Sequence, residues 1–279
     1  MCDNIVQPVF HRKGNPLDKK FTVANFTRIS DEVLKFQLST LYPVPAQKDQ
    51  SRIDLIFLNH DRNVSTFLTI RYLVEHERVA DIYVLSRATF ESIISMGLLA
   101  KNLVVDDISR YQEFQYLEIY KTYAHLKRLG LENLSGISAS DVQTMSKHRS
   151  DYINKWGRSE SSWTGKSLEE NVRTVDQAYP PTCNESCFYE YLYCQVYRKG
   201  SQSTHSSFAG LSKGVKVEAV TPPGIVAKRF SVSEEHLIFS CFHSLLVFLS
   251  SVRFLGMAIG KEDCEAYFQK IARYIISED

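Results

Sequence analysis

Apolar positions recur at helical spacing along most of the chain, and the breaks between the runs set the elements. Residues 1–28 have little periodicity and are interrupted by Pro8, Gly14 and Pro16, which predicts an extended or loosely packed arm. Ser30-Asp31-Glu32 reads as a helix start. Val33, Leu34, Leu38, Leu41 and Tyr42 follow at three- and four-residue intervals, and Pro43-Val44-Pro45 ends the run. From Ser51 to Asn102 there is neither proline nor glycine except Gly97. That is long for one helix, so a break is expected near 59–64 or 77–81. The second half places Ile82, Leu85, Thr89, Ser92, Ile93 and Met96 on one side, with a second apolar edge at Val84, Ala88 and Ile94. Asp106-Asp107 opens a further helix carrying Tyr111, Phe114, Leu117, Tyr120, Ala124 and Leu126, which stops near Gly130.

Residues 138–156 read as a polar helix starting at Ser140 or Asp141. After a polar loop holding Trp163, Ser167 and Glu170 have the spacing of a capping box, and Pro180-Pro181 ends the helix they begin. Glu185–Ser207 starts as an aromatic helix and is expected to break at Gly200-Ser201. Gly210, Gly214, Pro222, Pro223 and Gly224 mark residues 209–230 as an irregular or β-like insertion, in which KVEAV fits a short strand. From Ser233 a run of some 24 apolar-rich residues is long enough to span a membrane. His243 and Arg253 interrupt it, and it reads as a buried bundle helix. A last amphipathic helix covers Asp263 to Ile276. The expected architecture is all-α: a single multi-helix bundle over 29–279, preceded by the 1–28 arm.

Composition narrows the function without naming it. With 33 Lys and Arg against 32 Asp and Glu, the net charge of +1 gives no bulk attraction for nucleic acid or membrane, so any RNA-binding surface must be local. The six cysteines follow a mixed, polar N-terminus with no leader-like segment, and are expected as reduced thiols in a cytoplasmic protein. Cys183, Cys187 and Cys194 with His205 can be drawn as a zinc set, but C-x3-C-x6-C fits no common zinc spacing, and no metal or other cofactor is expected. Phosphate-binding glycine loops, the H-E-x-x-H metalloprotease pattern and the G-x-S-x-G hydrolase pattern are absent from the sequence.

Two constellations carry candidate chemistry. Arg198 and His205 flank the expected break at Gly200. Cleaving RNA without a metal needs a group that moves a proton at the ribose 2′-OH or the leaving 5′-oxygen, and histidine does this near neutrality. It also needs charge stabilisation at phosphorus, which suits an arginine. In an unbroken helix residues seven apart lie ~10 Å apart along the axis, too far to share one phosphate, so the expected bend matters. Arg87 and Glu91 form the second constellation: an i,i+4 pair on an otherwise apolar helix, placed either to position Arg198 or His205 or to touch a phosphate. Tyr197, Lys199 and Ser201 in the motif, and Trp163 and Lys166 in the loop, are the candidate substrate-binding residues. The plain readings stand beside these: a cation at a helix C-terminus, a loop histidine among serines, a surface ion pair, a tryptophan that anchors its loop. Tyr189, Tyr193 and Tyr197 suit core or interface as well as base stacking, and Lys147, His148, Arg149, Lys155 and Arg158 read as a solvated basic face.

The R-x6-H spacing of Arg198 and His205 resembles the R-x4-6-H motif of the HEPN superfamily of helical nucleotide-binding domains. LSRATFESI (85–93), SSWTGKSLEEN (161–171) and YEYLYCQVYRKGSQSTHSS (189–207), in that order, resemble a bacterial family of unassigned function grouped with HEPN-like domains and met in mobile-element and phage-defence settings. The resemblance spans about 82–257 and implies a HEPN-like core over about 80–257. It further implies a metal-independent endoribonuclease, a toxin or defence effector, with His205 as acid/base and Arg198 as phosphate stabiliser. The products would carry 2′,3′-cyclic phosphate ends. A homodimer whose two R…H motifs meet across a two-fold axis is expected, with an antitoxin or defence-system protein as a possible partner. Lys199 stands where the motif usually has Asn, Asp or His, and the six-residue gap is its longest form. Both features fit equally an alternative, a non-catalytic helical RNA- or protein-binding module.

Overall fold

A computed structural model describes residues 21–44, 49–157, 162–182, 186–205, 215–220 and 227–276. Residues 1–20 of the expected arm, Arg158, Cys183, Ser206, Ser207 and positions 209–214 and 221–226 of the insertion lie outside them. Ten α-helical segments and one π-helical segment are described, with a two-stranded antiparallel hairpin (β1, Val215–Val220; β2, Ala227–Val232) in register Val215 with Val232. The protein is an all-α bundle with a small β insertion where the glycines and prolines cluster.

Helix α1 (Val23–Leu41) starts earlier than expected. Its cap is Thr22, whose hydroxyl accepts from the Asn25 amide, and Ser30 is buried within the helix. Phe26 and Ile29 extend the stripe of Val33 and Leu41, so burying them draws 21–28 out of the supposed arm and into the bundle. The long proline-free stretch divides into α2 (Gln50–Glu75) and α3 (Val79–Ala100), at the second of the two places expected. Glu77 turns the chain there with φ +53°. Helix α4 (Asp107–Arg128) and α5 (Ala139–Trp156) form an antiparallel pair, and α5 is capped by a Ser138–Asp141 box rather than by Ser140 or Asp141 alone. Helix α6 (Leu168–Ala178) has the expected Ser167–Glu170 box. The aromatic helix follows, then α9 (Glu234–Ala258) and α10 (Glu262–Ile276).

Helix α9 is the axis of the bundle. It packs on α3, α2, α1 and α10 and is apolar on all sides, as a surrounded helix must be. Helices α3 and α9 are long and apolar enough to cross a membrane, and both are core helices here. The polar groups of α9 are matched to partners. Arg253, fully buried, forms a two-pronged bond with Glu265 of α10 (Nε–Oε2 2.6 Å, Nη2–Oε1 2.8 Å). It also donates to Tyr189 Oη and the Pro180 carbonyl and lies over the Phe268 ring at 4.4 Å. His243 Nδ1 donates to the Phe239 carbonyl and Nε2 accepts from Tyr191 Oη. Ser251 joins His60 and Asn63 of α2, and His60 Nε2 meets Gln37 of α1 at 2.7 Å. Burial lowers both histidines, His60 to about 4 and His243 to about 3, so each sits neutral in the core.

Candidate functional site

The aromatic helix does not break at Gly200. It runs without interruption as α7 (Phe188–Leu192), a π-helical segment (Tyr193–Arg198) and α8 (Lys199–Thr204). Leu192, Arg198 and Lys199 all keep right-handed helical angles, and His205 forms the C-cap. Gly200 is there for a different reason. A Cβ at this position would lie 2.6 Å from Arg87 Cβ and 2.6 Å from the Tyr83 carbonyl oxygen. It is therefore the point where α8 crosses the buried core helix α3 with no room for a side chain. The expectation of a bend is corrected: the glycine permits close docking, and Arg198 and His205 stay two turns apart.

The start of this helix is fixed from below. Asp176 Oδ1 and Oδ2 accept from the Tyr189 and Glu190 amides, both at 2.8 Å, capping the first turn of α7. Burial pushes the Asp176 carboxyl up to about 7, while the two amides and Arg253 pull it down. Nothing in the sequence singled this residue out, because its partners are backbone groups thirteen and fourteen positions away.

The docking of α8 on α3 gathers a chain of cations and rings. Arg87 Nε donates to Glu91 Oε1 at 3.1 Å, and its guanidinium lies 4.9 Å from the centre of the Tyr197 ring. Tyr197 stacks on Tyr193 (5.2 Å, 13° between planes), and the Arg198 guanidinium lies 5.5 Å from the Tyr193 ring. Phe90 touches both tyrosines from α3. Arg87 is mostly buried, with 21% of its side chain accessible, whereas Glu91 is half exposed. A ring face over a partly desolvated guanidinium contributes more than a surface pair does. The ladder Arg87–Tyr197–Tyr193–Arg198 passes through the π-helical segment, a distortion that recurs at functional positions in helical proteins.

The remaining candidates fall in different places. His205 is exposed at the helix end, its amide bonded to the Ser201 carbonyl at 3.0 Å. Lys199 turns toward α9, with Nζ 3.9 Å from the Phe239 ring centre. Ser201 is partly exposed on the same helix side as Arg198 and His205. Trp163 is a core anchor: its indole N–H donates to Ser95 Oγ at 3.2 Å, its ring meets Tyr111 edge-on, and its carbonyl accepts from Tyr152 Oη. Lys166 is exposed beyond it. The structure thus brings Arg87, Glu91 and Tyr197 together with Tyr193, and it holds Trp163 and Lys199 in other contacts. Cys187, Cys194, Cys241 and Cys264 form no disulfide, and among the described residues no cluster of three His, Cys, Asp or Glu could hold a metal ion.

A helical bundle whose motif helix is docked on a core helix through an arginine–tyrosine ladder defines the class. Residues 54–219 match the model of a family of unknown function, DUF5677, and the chain belongs to that family. The match takes in every residue of the ladder, Glu91, Gly200 and His205, and leaves α9 and α10 outside it. No curated protein and no solved structure matches the chain.

Proposed function

We propose that the chain is a HEPN-like, metal-independent endoribonuclease of the cytoplasm, active as a homodimer. The observation that carries this reading is the placement of Arg198 and His205 on one exposed side of an unbroken helix. Residues seven apart share a helix face but are ~10 Å apart along its axis. The Arg198 guanidinium leans further away, toward Tyr193, as side chains on a helix tilt to the N-terminus. One copy therefore offers half of a site. Two such helices packed antiparallel, with the two-fold axis passing between Ser201 and Gln202, would set Arg198 against His205 of the partner subunit, and would do so twice.

In that arrangement Arg198 hydrogen-bonds the non-bridging phosphate oxygens. His205 takes the 2′-hydroxyl proton as O2′ attacks phosphorus; the P–O5′ bond breaks and the proton passes to O5′. The products are a 2′,3′-cyclic phosphate and a 5′-hydroxyl. Arg87, held by Glu91, supports the helix from beneath through Tyr197 and does not reach the phosphate. A role as a toxin or phage-defence effector, held by an antitoxin or other defence protein, fits this chemistry. The test is RNA cleavage in EDTA by wild-type protein beside His205→Ala, with product ends characterised. Cyclic phosphate ends made by the wild type alone support the proposal.

The lean of Arg198 over Tyr193, away from His205, favours a second reading: a non-catalytic RNA- or protein-binding module in which the ladder is purely structural. It predicts folded protein with no cleavage on any RNA class.

A further inference from the structure

The α4–α5 pair leans out of the bundle. Helix α4 packs chiefly on α5, and only Asp107 and Leu117 of its residues are buried. It is tied down near its start. Arg52 pairs with Asp107 at 3.1 Å, Tyr111 bonds Asn59, and the Tyr111 ring meets Trp163. About 24 Å further along α4, an open groove of about 580 Å³ lies between the two helices, lined by Tyr120, Tyr123, Lys127, Ser146 and Lys147 among others. No carboxylate is among the described residues that line it. Lys127 and Lys147 are exposed and make no ion pair among the described residues. Next to the groove Arg149 lies 5.1 Å from the Tyr120 ring, and His148 stacks on Tyr116 at 4.3 Å. In a chain of net charge +1, Lys127 and Lys147 thus place two cations with no ion pair among the described residues beside tyrosine faces.

We infer that this groove binds single-stranded RNA, with Lys127 and Lys147 on phosphates and Tyr120 and Tyr123 against unpaired bases. Charge complementarity selects a polyanion, and half-buried tyrosine rings select bases free to stack, which a duplex does not offer. The surface is independent of sequence and separate from the Arg87–Tyr197 ladder, so it acts as an exosite that holds a strand. The inference rests on the ribonuclease reading for the role of that strand as substrate.

The test uses the full chain and a fluorescein-labelled oligouridylate of about 12 nucleotides, within the usual span of single-strand sites. Binding is read by anisotropy across a salt series. Lys127→Glu/Lys147→Glu is expected to weaken binding tenfold or more and to lower the salt slope by about two, one for each phosphate contact. Tyr123→Leu, which keeps the apolar fill of the hairpin, is expected to weaken binding about fivefold or more. The double variant is expected to cleave a dinucleotide, too short to reach the groove, at the wild-type rate. Equal binding by wild type and double variant overturns the groove whether or not cleavage occurs. Groove-dependent binding with no cleavage upholds the groove and refutes the nuclease. Binding to a polyglutamate peptide but not to RNA assigns the groove to an acidic protein segment and overturns the inference.

Discussion

Replacing Gly200 with alanine tests the docking of the motif helix on the core. An added Cβ would stand 2.6 Å from Arg87 Cβ and 2.6 Å from the Tyr83 carbonyl oxygen, where ordinary contact is about 3.5 Å or more. Relief requires α8 and α3 to part by about 1 Å. Helix α3 has little freedom to yield, because Ile82, Tyr83, Ser86 and Phe90 are buried and Ser86 is bonded to Ser244 of α9. Overpacking of this kind costs about 1–3 kcal/mol. Alanine recovers about 1 kcal/mol through its better helix propensity. The balance is a destabilisation of up to about 2 kcal/mol, concentrated on the segment that carries Tyr197, Arg198 and His205. Urea unfolding followed by far-UV circular dichroism measures it, and cleavage on the same sample reports the site. A Gly200→Ala protein more stable than wild type would refute the reasoning. A glycine serving only as a hinge predicts that result, since alanine would stiffen it.

Glu265→Ala strands the fully buried Arg253 guanidinium and is expected to cost about 3–5 kcal/mol; a loss under 1 kcal/mol in urea unfolding would show that the buried charge does not depend on this partner. His60 and His243 are held below their unfolded value of about 6.5, so the unfolded state binds more protons in acid. Through these imidazoles the fold is expected to lose stability as pH drops from about 6.5 toward 4, His60 alone accounting for about 3 kcal/mol at the lower end, while Asp176, pushed up to about 7, acts in the opposite sense; His60→Gln should therefore remove an acid-destabilising component, and a pH profile of the urea midpoint that this variant leaves unchanged would exclude a buried neutral imidazole. Arg87→Gln keeps the fold but loses the Glu91 bond and the Tyr197 stack, and is expected to lower the cleavage rate tenfold or more while costing about 1 kcal/mol of stability; unchanged kcat would remove Arg87 from the positioning of the motif helix.

Long apolar periodicity made most of the bundle legible. The Ser167–Glu170 box, the division near Glu77 and the β-like insertion all followed from local chemistry that the fold leaves intact. Helix α1 starts ahead of Ser30, which has the look of a cap, because burial of Phe26 and Ile29, a tertiary matter, overrides the local signal. Gly200 departs from its local signal for a related reason. A glycine followed by serine signals a turn when only neighbours are considered, and close helix crossing leaves the same signal. Arg87 and Glu91 were found by their spacing, but their ring partners were not: Tyr193 and Tyr197 are more than a hundred positions away in sequence. Asp176 left no trace because it acts on backbone amides. Arg253, read only as an interruption of an apolar run, proves to be a hub joining α9, α10 and α7.

The central claim is that Arg198 of one copy meets His205 of the other. Arg198→Ala and His205→Ala proteins are each expected to be inactive, since every site in either dimer lacks one group. Co-expressed in equal amounts, they form mixed dimers in which one site has lost both groups and the other is intact. With half of the dimers mixed, about a quarter of the wild-type cleavage rate should return. An active wild type, with mixed dimers verified by mass and no recovery above the single variants, would contradict a site shared across the two-fold axis.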